Sequence, residues 1–151
     1  MPQLTVNESA GDFTHIVKLD YLDLQAIGTG NSKTILTLPA GSAVDLVGII
    51  NTVDIVGSSS LSVEVGYAGT TTAFIAAFDV DAATVNLPTF NTGSDFVQAA
   101  GTTTIEGGSL PVKAVSADTA VVIKVTDAAL ASITAGEIIV GFRVINLGRF
   151  R

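Results

Sequence analysis

The stretch from residue 33 to residue 67, KTILTLPAGSAVDLVGIINTVDIVGSSSLSVEVGY, decides the fold. It contains three apolar, β-branched runs, which are separated by Pro39-Ala40-Gly41 and by the Gly-Ser-Ser-Ser segment at residues 57–60. Proline fixes φ and glycine permits positive φ, so both breaks predict turns between strands. In the last run, apolar residues alternate with small or polar ones from Leu61 to Tyr67. A period of two is typical of a strand that buries one face.

The rest of the chain continues the pattern of short strands between glycine- and proline-rich turns. Further strands are predicted at residues 16–24, 34–38, 110–115, 119–126 and 137–147, with a glycine-rich turn at 25–32 and either a turn or a single helical turn at 128–133. Phe74, Ile75 and Phe78 are spaced i, i+1, i+4, which predicts one or two helical turns over an open end of the fold. Residues 82–108 fit either short strands or long loops. We therefore expect an all-β, single-domain β-sandwich or jelly-roll-like fold at residues 15–151, with at most one or two short helical segments, preceded by an extended arm at residues 1–14.

Two of the predicted strands, at residues 44–53 and 137–147, are apolar on both parities. A strand that reads this way is buried on both faces, although the outer face of a two-sheet sandwich is normally wet. Either the chain's own loops or a neighbouring subunit covers that face. Charged residues make up only 14% of the chain and the mean hydropathy is +0.57, so another protein is the expected cover.

The composition also limits the classes of function. Acidic residues outnumber basic ones by 14 to 7, giving a net charge of −7, which disfavours nucleic-acid binding because Lys and Arg supply that affinity. The chain has no cysteine and therefore no disulfide or thiolate chemistry. It has no apolar run of about 18 residues, so we expect no membrane span, and residues 1–13 lack the layout of a signal peptide.

Residues that carry chemistry are few. The segment Gly28-Thr-Gly-Asn-Ser-Lys-Thr34 lacks the glycines that a phosphate-binding loop needs, and a strand follows it where that loop would open a helix. His15 is the sole histidine, and no Gly-x-Ser-x-Gly elbow occurs. Asp79 and Asp81 are the best candidates for binding a hard cation, but two carboxylates fall short of a calcium shell, and capping of a turn or of a helix end is the favoured explanation. We therefore predict that the protein is not an enzyme and that it binds neither a cofactor nor a metal.

The order of these segments resembles small virion proteins of tailed bacteriophages. The resemblance rests on the Leu-Pro-Ala-Gly-Ser turn at residues 38–42, on Leu-Ser-Val-Glu-Val-Gly at 61–66, on AFIAAFDVD at 73–81 and on the final GEIIVGFRVINLG at 136–148. It covers roughly residues 16–149 and consists of turn and core patterns.

The resemblance implies a head-decoration, or cement, protein that binds the outer surface of the capsid. The expected partners are the major capsid protein and further copies of the chain, with a trimer as the expected form; neither nucleic acid nor a membrane is an expected partner. Candidate contact residues lie in the arm and at the C-terminus: Leu4, Val6, Phe13, Arg149, Phe150 and Arg151. The alternative is a carbohydrate- or receptor-binding module of a phage tail or fibre, for which Tyr21 and Tyr67 are the available stacking rings.

Overall fold

The computed structural model describes residues 13–97 and 112–150. Its strands are β1 (His15–Asp20), β2 (Ser32–Leu38), β3 (Ser42–Val56), β4 (Ser62–Tyr67), β5 (Thr70–Asp79), β6 (Thr89–Phe90), β7 (Lys113–Val115), β8 (Thr119–Thr126) and β9 (Ala135–Asn146). One α-helix, α1 (Tyr21–Ile27), follows β1, and short 3-10 turns lie at Leu130–Ser132 and Gly148–Phe150. Of the arm predicted at residues 1–14, residues 1–12 lie outside the described residues, so the predicted boundary between arm and sandwich stays a prediction.

The strands form two antiparallel sheets. The five-stranded sheet has the order β1-β9-β3-β6, with β7 also paired to β3, and the four-stranded sheet has the order β2-β8-β4-β5. β3 and β9 pair along almost their whole lengths, from Ser42 opposite Asn146 to Val56 opposite Ala135. The predicted all-β sandwich is confirmed.

The core lies between the two sheets and takes alternate residues from each. Both sheets contribute fully buried side chains, which include Val47, Ile49, Val63, Val65, Ile123, Val125, Val140 and Phe142. Each buried aliphatic side chain of this size contributes about 1.5–3 kcal/mol by leaving water. The alternation predicted from Leu61 to Tyr67 is confirmed by β4, and β8 has the bounds that its Val-Val-Ile-Lys-Val pattern predicts.

The prediction of a strand at residues 16–24 is wrong after Asp20. Asp20 caps α1: its Oδ1 accepts the Asp23 N–H at 3.0 Å, and Asp23 Oδ2 accepts the Asp20 N–H at 3.2 Å. Such a reciprocal box satisfies helix N–H groups that have no partner within the helix. The strand therefore ends at Asp20 and a helix begins at Tyr21, which buries Leu24 and Ile27.

The prediction of helical turns at Phe74, Ile75 and Phe78 is also wrong, because these residues lie in β5. The pairing of β4 with β5 shifts register twice, between Val63 and Val65 and between Val65 and Tyr67. Ala73, Phe74 and Ile75 are consecutive and all fully buried. Because β5 is paired irregularly and buries three consecutive side chains, its apolar residues do not alternate, and their spacing resembles that of a helix.

The chain covers two of its own sheet edges. Beside β3, the side chain of Asn91 accepts the Val47 N–H at 2.8 Å and donates to the Asp45 carbonyl at 3.0 Å, filling the gap between β6 and β7. Beside β5, the backbone N–H groups of residues 93–95 donate to carbonyls of residues 72–74 at 2.9–3.1 Å. Uncovered edges invite pairing with other chains. The other two edge strands, β1 and β2, have no such cover among the described residues.

Within the described residues, no helix is long and apolar enough to cross a membrane.

Candidate interaction surface

The outer face of the five-stranded sheet has an apolar row across its middle. The strand register places Ile16 beside Gly141, Gly141 beside Gly48 and Gly48 beside Phe90. The chain neighbours of both glycines point into the core, so the glycines face outward. A pair of glycines in adjacent strands leaves a flat floor where another group can approach the backbone closely.

Phe13 lies on this floor. A Cβ atom built on Gly141 would lie 2.8 Å from Phe13 Cδ1, and one on Gly48 would lie 2.6 Å from Phe90 Cε1. The two rings stack with centroids 6.3 Å apart and planes 12° apart. Thr14 fixes the approach, because its N–H donates to the Phe142 carbonyl at 2.8 Å and its hydroxyl accepts the Val144 N–H at 2.9 Å. The chain's own Phe13 and Phe90 therefore cover the centre of the face.

Around this centre the face remains apolar and partly open. Its outward-facing apolar residues, half-buried or exposed, are Ile16, Leu46, Ile50, Val53, Ile139 and Ile145. Phe90 itself is 46% exposed. Contiguous exposed apolar surface of this kind is typical of a protein–protein contact.

Two ion pairs border the apolar face. Arg143 binds Asp45 through two hydrogen bonds, at 2.8 Å and 3.0 Å. Lys18 Nζ lies 2.6 Å from Glu137 Oε2, and Thr52 Oγ1 donates to Glu137 Oε1 at 2.6 Å. The hydrogen bond from Lys18 and then that from Thr52 lower the pKa of Glu137, since both favour the carboxylate.

The outer face of the four-stranded sheet differs in chemistry. Its register aligns Ser32, Lys124 and Glu64 in one row. Lys124 Nζ lies 3.3 Å from Glu64 Oε1, which also accepts a hydrogen bond from Thr71. The molecule therefore has one apolar and one polar outer face.

A second exposed apolar site lies where β9 ends, and we call Ile145, Leu147, Arg149 and Phe150 the terminal corner. The Leu147 and Gly148 N–H groups both donate to the Gly41 carbonyl at 3.2 Å, which fixes the chain to the β2–β3 turn. Ile145, Leu147 and Phe150 are 47%, 70% and 80% exposed. Since β1 runs antiparallel to β9, with His15 opposite Phe142, β1 begins at the end of the sheet where this corner lies.

The predicted contact residues divide into three groups. Arg149 and Phe150 lie exposed in the terminal corner, as a contact role requires. Phe13 packs on its own sandwich, so it anchors the arm. Leu4, Val6 and Arg151 lie outside the described residues, and their role stays a prediction.

The residues considered for chemistry make ordinary structural contacts. His15 is exposed and its Nδ1 lies 2.8 Å from Thr14 Oγ1. Asp79 Oδ1 accepts the N–H groups of Asp81 and Ala82 at 3.0 Å and 3.3 Å, which is turn capping. In residues 13–97 and 112–150, no three His, Cys, Asp or Glu residues are grouped as a metal site would need.

Asp127 is the most enclosed carboxylate in the described part of the chain, at 2% exposure. Its Oδ1 accepts the Ser59 hydroxyl at 2.7 Å and the Ala129 N–H at 2.8 Å. Burial raises its pKa, but the hydrogen bonds from Ser59, Ala129 and Ser60 together outweigh burial and lower the pKa. Asp127 joins the β3–β4 turn to the β8–β9 connection.

The comparisons with known proteins identify a similar fold. No protein-family model matches the chain, and no curated protein matches it. The sandwich is similar to a chain in the capsid asymmetric unit of cyanophage Pam1, with a TM-score of 0.56 and 21% identity over 85% of this chain and 79% of that chain. A chain in the acid-stable capsid of Helicobacter pylori bacteriophage KHP30 matches with a TM-score of 0.47 and 18% identity, over 87% of this chain and 90% of that one. The likeness to the Pam1 chain is one of fold.

Sequence reasoning missed the aromatic centre of the apolar face. Phe90 lies in the segment that fitted either loops or strands, and its contact with Phe13 spans 77 positions, the difference between their residue numbers. One signal was present: Gly48 and Gly141 interrupt the two longest apolar strands. Glycine inside a strand indicates that another group approaches the backbone there.

Proposed function

We propose that this protein is a structural component of a phage virion, and that it decorates the outer surface of the head as a cement protein. The observation that carries the proposal is the likeness of 85% of the chain to a chain of the Pam1 capsid asymmetric unit. The turn and strand motifs that resemble small phage virion proteins support it independently, since they were found in the sequence alone.

The strand order supports a jelly-roll interpretation of the sandwich. With β7 set aside as an addition to the edge of β3, each sheet has four strands, in the orders β1-β9-β3-β6 and β2-β8-β4-β5. The first three strands alternate between the sheets, and the last two strands return beside them, as in two interlocked Greek keys. Jelly rolls are frequent in viral capsid proteins and in lectins.

The contrast between the two outer faces supports an adhesive role. The polar face with Lys124 and Glu64 suits contact with water, whereas the apolar face with Ile50 and Ile139 suits contact with protein. In the proposed arrangement, copies of the chain associate through the apolar face, with a trimer as the expected form. The arm and the terminal corner then contact the major capsid protein.

The proposed role is non-enzymatic, and the contacts of the two tyrosines do not support the sugar-binding alternative. Tyr67 is half-buried; its hydroxyl donates to Asp95 at 3.0 Å and Lys113 Nζ lies 5.0 Å from its ring centroid. Its ring also packs edge-on against Phe74, with centroids 5.9 Å apart. Tyr21 is half-buried against the core. Neither ring is available as an open platform for a sugar.

Truncation of the arm tests the proposal. Deletion of residues 2–12 retains Phe13 on its glycine floor, so the melting temperature should stay within a few degrees of wild type. Co-sedimentation with heads that lack the protein should then fall at least about tenfold, because a segment of this length adds contacts only by lying along a neighbour. A Phe13→Ala variant with an intact arm is the matched control for loss of the anchor alone. If the wild-type protein fails to sediment with heads at micromolar concentration, the proposal is wrong.

A further inference from the structure

The positive charges of this acidic molecule are distributed unevenly. Of its seven Lys and Arg residues, four are held in ion pairs, Lys18–Glu137, Lys113–Asp95, Lys124–Glu64 and Arg143–Asp45. The other three are Lys33, which lies exposed on β2, and the last two arginines of the chain, Arg149 and Arg151. Arg151 lies outside the described residues. Among the described residues, Lys33 and Arg149 are therefore the positive charges that make no ion pair, and Arg149 lies in the terminal corner.

This charge coincides with the most exposed apolar side chains of the same end. Leu147 and Phe150 are 70% and 80% exposed, and Arg149 Cζ lies 5.6 Å from the centroid of the Phe150 ring. Asp118 is the carboxylate bound to the adjacent β2–β3 turn, where it accepts the Ala40 N–H at 2.9 Å. Within the described residues it makes no ion pair, so it does not neutralise Arg149. Aromatic residues and arginine are the types that dominate the energy of protein interfaces.

The backbone holds these side chains in a defined direction. The Gly41 carbonyl binds two consecutive N–H groups of residues 147 and 148, and Asn146 Oδ1 accepts the Arg149 N–H at 3.3 Å. The Phe150 N–H donates to the Leu147 carbonyl at 3.2 Å. A corner that is already ordered before binding loses less conformational entropy when it binds.

We propose that the terminal corner docks into an apolar depression bordered by carboxylates on a partner protein. Leu147 and Phe150 would enter the depression, and Arg149 would bind a carboxylate at its border, where a guanidinium forms two parallel hydrogen bonds. The inference rests on the proposed function, which makes the head surface the partner, and adds the chemistry of the site. A nucleic acid fits less well, since a net charge of −7 repels phosphate.

Charge reversal at Arg149 tests the inference against a matched control. R149E and K33E make the same change of charge at two exposed positions, one in the corner and one on β2. Co-sedimentation with heads at low salt should fall at least about tenfold for R149E and less than about twofold for K33E. Binding of wild type should weaken as salt screens the Arg149 contact. F150A should bind about tenfold more weakly than wild type, and this ratio should not change with salt, because F150A keeps Arg149 and loses only an apolar contact.

The outcomes separate this inference from the proposed function. If wild type does not bind heads, the proposed function fails first. If wild type binds and R149E behaves like K33E, with equal melting temperatures, the docking site is overturned while the function stands. Retention of wild type on immobilised DNA, lost in R149E, would overturn the protein partner in favour of a nucleic acid.

Discussion

At the scale of single residues, Asp127 is the polar group whose loss should cost most. It binds Ser59 and Ala129 from a buried position, so Asp127→Ala leaves their donors without a partner. An unsatisfied buried donor costs about 1–3 kcal/mol, and the free energy of unfolding in urea should fall by that amount. Asp54→Asn, at an exposed aspartate of β3, is the control and should change stability by less than about 0.5 kcal/mol.

The lowered pKa values of Asp127 and Glu137 predict a loss of stability in acid. Both folded-state pKa values lie below the ordinary values of 3.8 and 4.5. The stabilisation is therefore fully present above those ordinary values and is lost as the pH falls through the folded pKa values. The free energy of unfolding should be measured from pH 7 to pH 2. In Asp127→Asn and in Glu137→Gln it should fall less steeply at acid pH than in wild type. An unchanged slope at acid pH in both variants would contradict the assignment.

The glycine floor makes a prediction that a double-mutant cycle can measure. Gly141→Ala places a Cβ atom against the Phe13 ring and should cost about 1–3 kcal/mol. In a Phe13→Ala background the same substitution meets no ring, and it should be neutral or stabilising because alanine loses less backbone entropy than glycine. Chemical denaturation of wild type, the two single variants and the double variant gives the coupling energy between residues 13 and 141. Equal costs in both backgrounds would mean that Phe13 does not lie there.

At the scale of elements, one side chain ties α1 to the β8–β9 connection. Gln25 Nε2 donates to the carbonyls of Leu130, Ala131 and Ile133 at 2.9–3.2 Å. Gln25→Glu replaces the donor by a carboxylate that faces three carbonyl oxygens, and should lower the melting temperature by several degrees at pH 7.

Protonation provides the check on that helix contact. Near pH 4 the introduced carboxylic acid regains a donor, so the difference between Gln25→Glu and wild type should shrink. Gln25→Ala is the control, because it removes the same contact without adding a titratable group. If Gln25→Glu and Gln25→Ala are destabilised relative to wild type by the same amount at every pH, the contacts of Gln25 with the three carbonyls do not hold the helix.

The elements also indicate how far sequence reasoning reaches. β4 was predictable because it pairs regularly with β8, so its alternation of buried Val63 and Val65 with half-buried Ser62 and Glu64 survives. α1 has seven residues, too few for a helical period, although Asp20 and Asp23 have the spacing of a capping box. β5 imitates a helix because its pairing is irregular. The site depends on contacts between residues 13, 48, 90 and 141, and such long-range contacts leave no local pattern.

At the scale of the whole molecule, the apolar outer face predicts self-association. Multi-angle light scattering of the wild-type protein should show a multimer, with a trimer as the expected form. Ile50→Lys places a charge on the open part of that face and should give a monomer of similar melting temperature. Thr34→Lys makes the same addition on the polar outer face and should leave the multimer intact. A wild-type monomer at micromolar concentration would contradict the prediction.

The position of the terminal corner has a consequence for attaching cargo to the protein. A tag fused to the C-terminus would follow Phe150 by one residue and would compete with whatever docks at the terminal corner. The turn at Gly30 lies at the other end of the strands; Gly30 is exposed, and a Cβ atom there would meet nothing within 4 Å. β2, which runs between that turn and the corner, has seven residues, so roughly 23 Å separate the two ends. A peptide inserted at Gly30 would point away from the docked surface and remain accessible to antibodies.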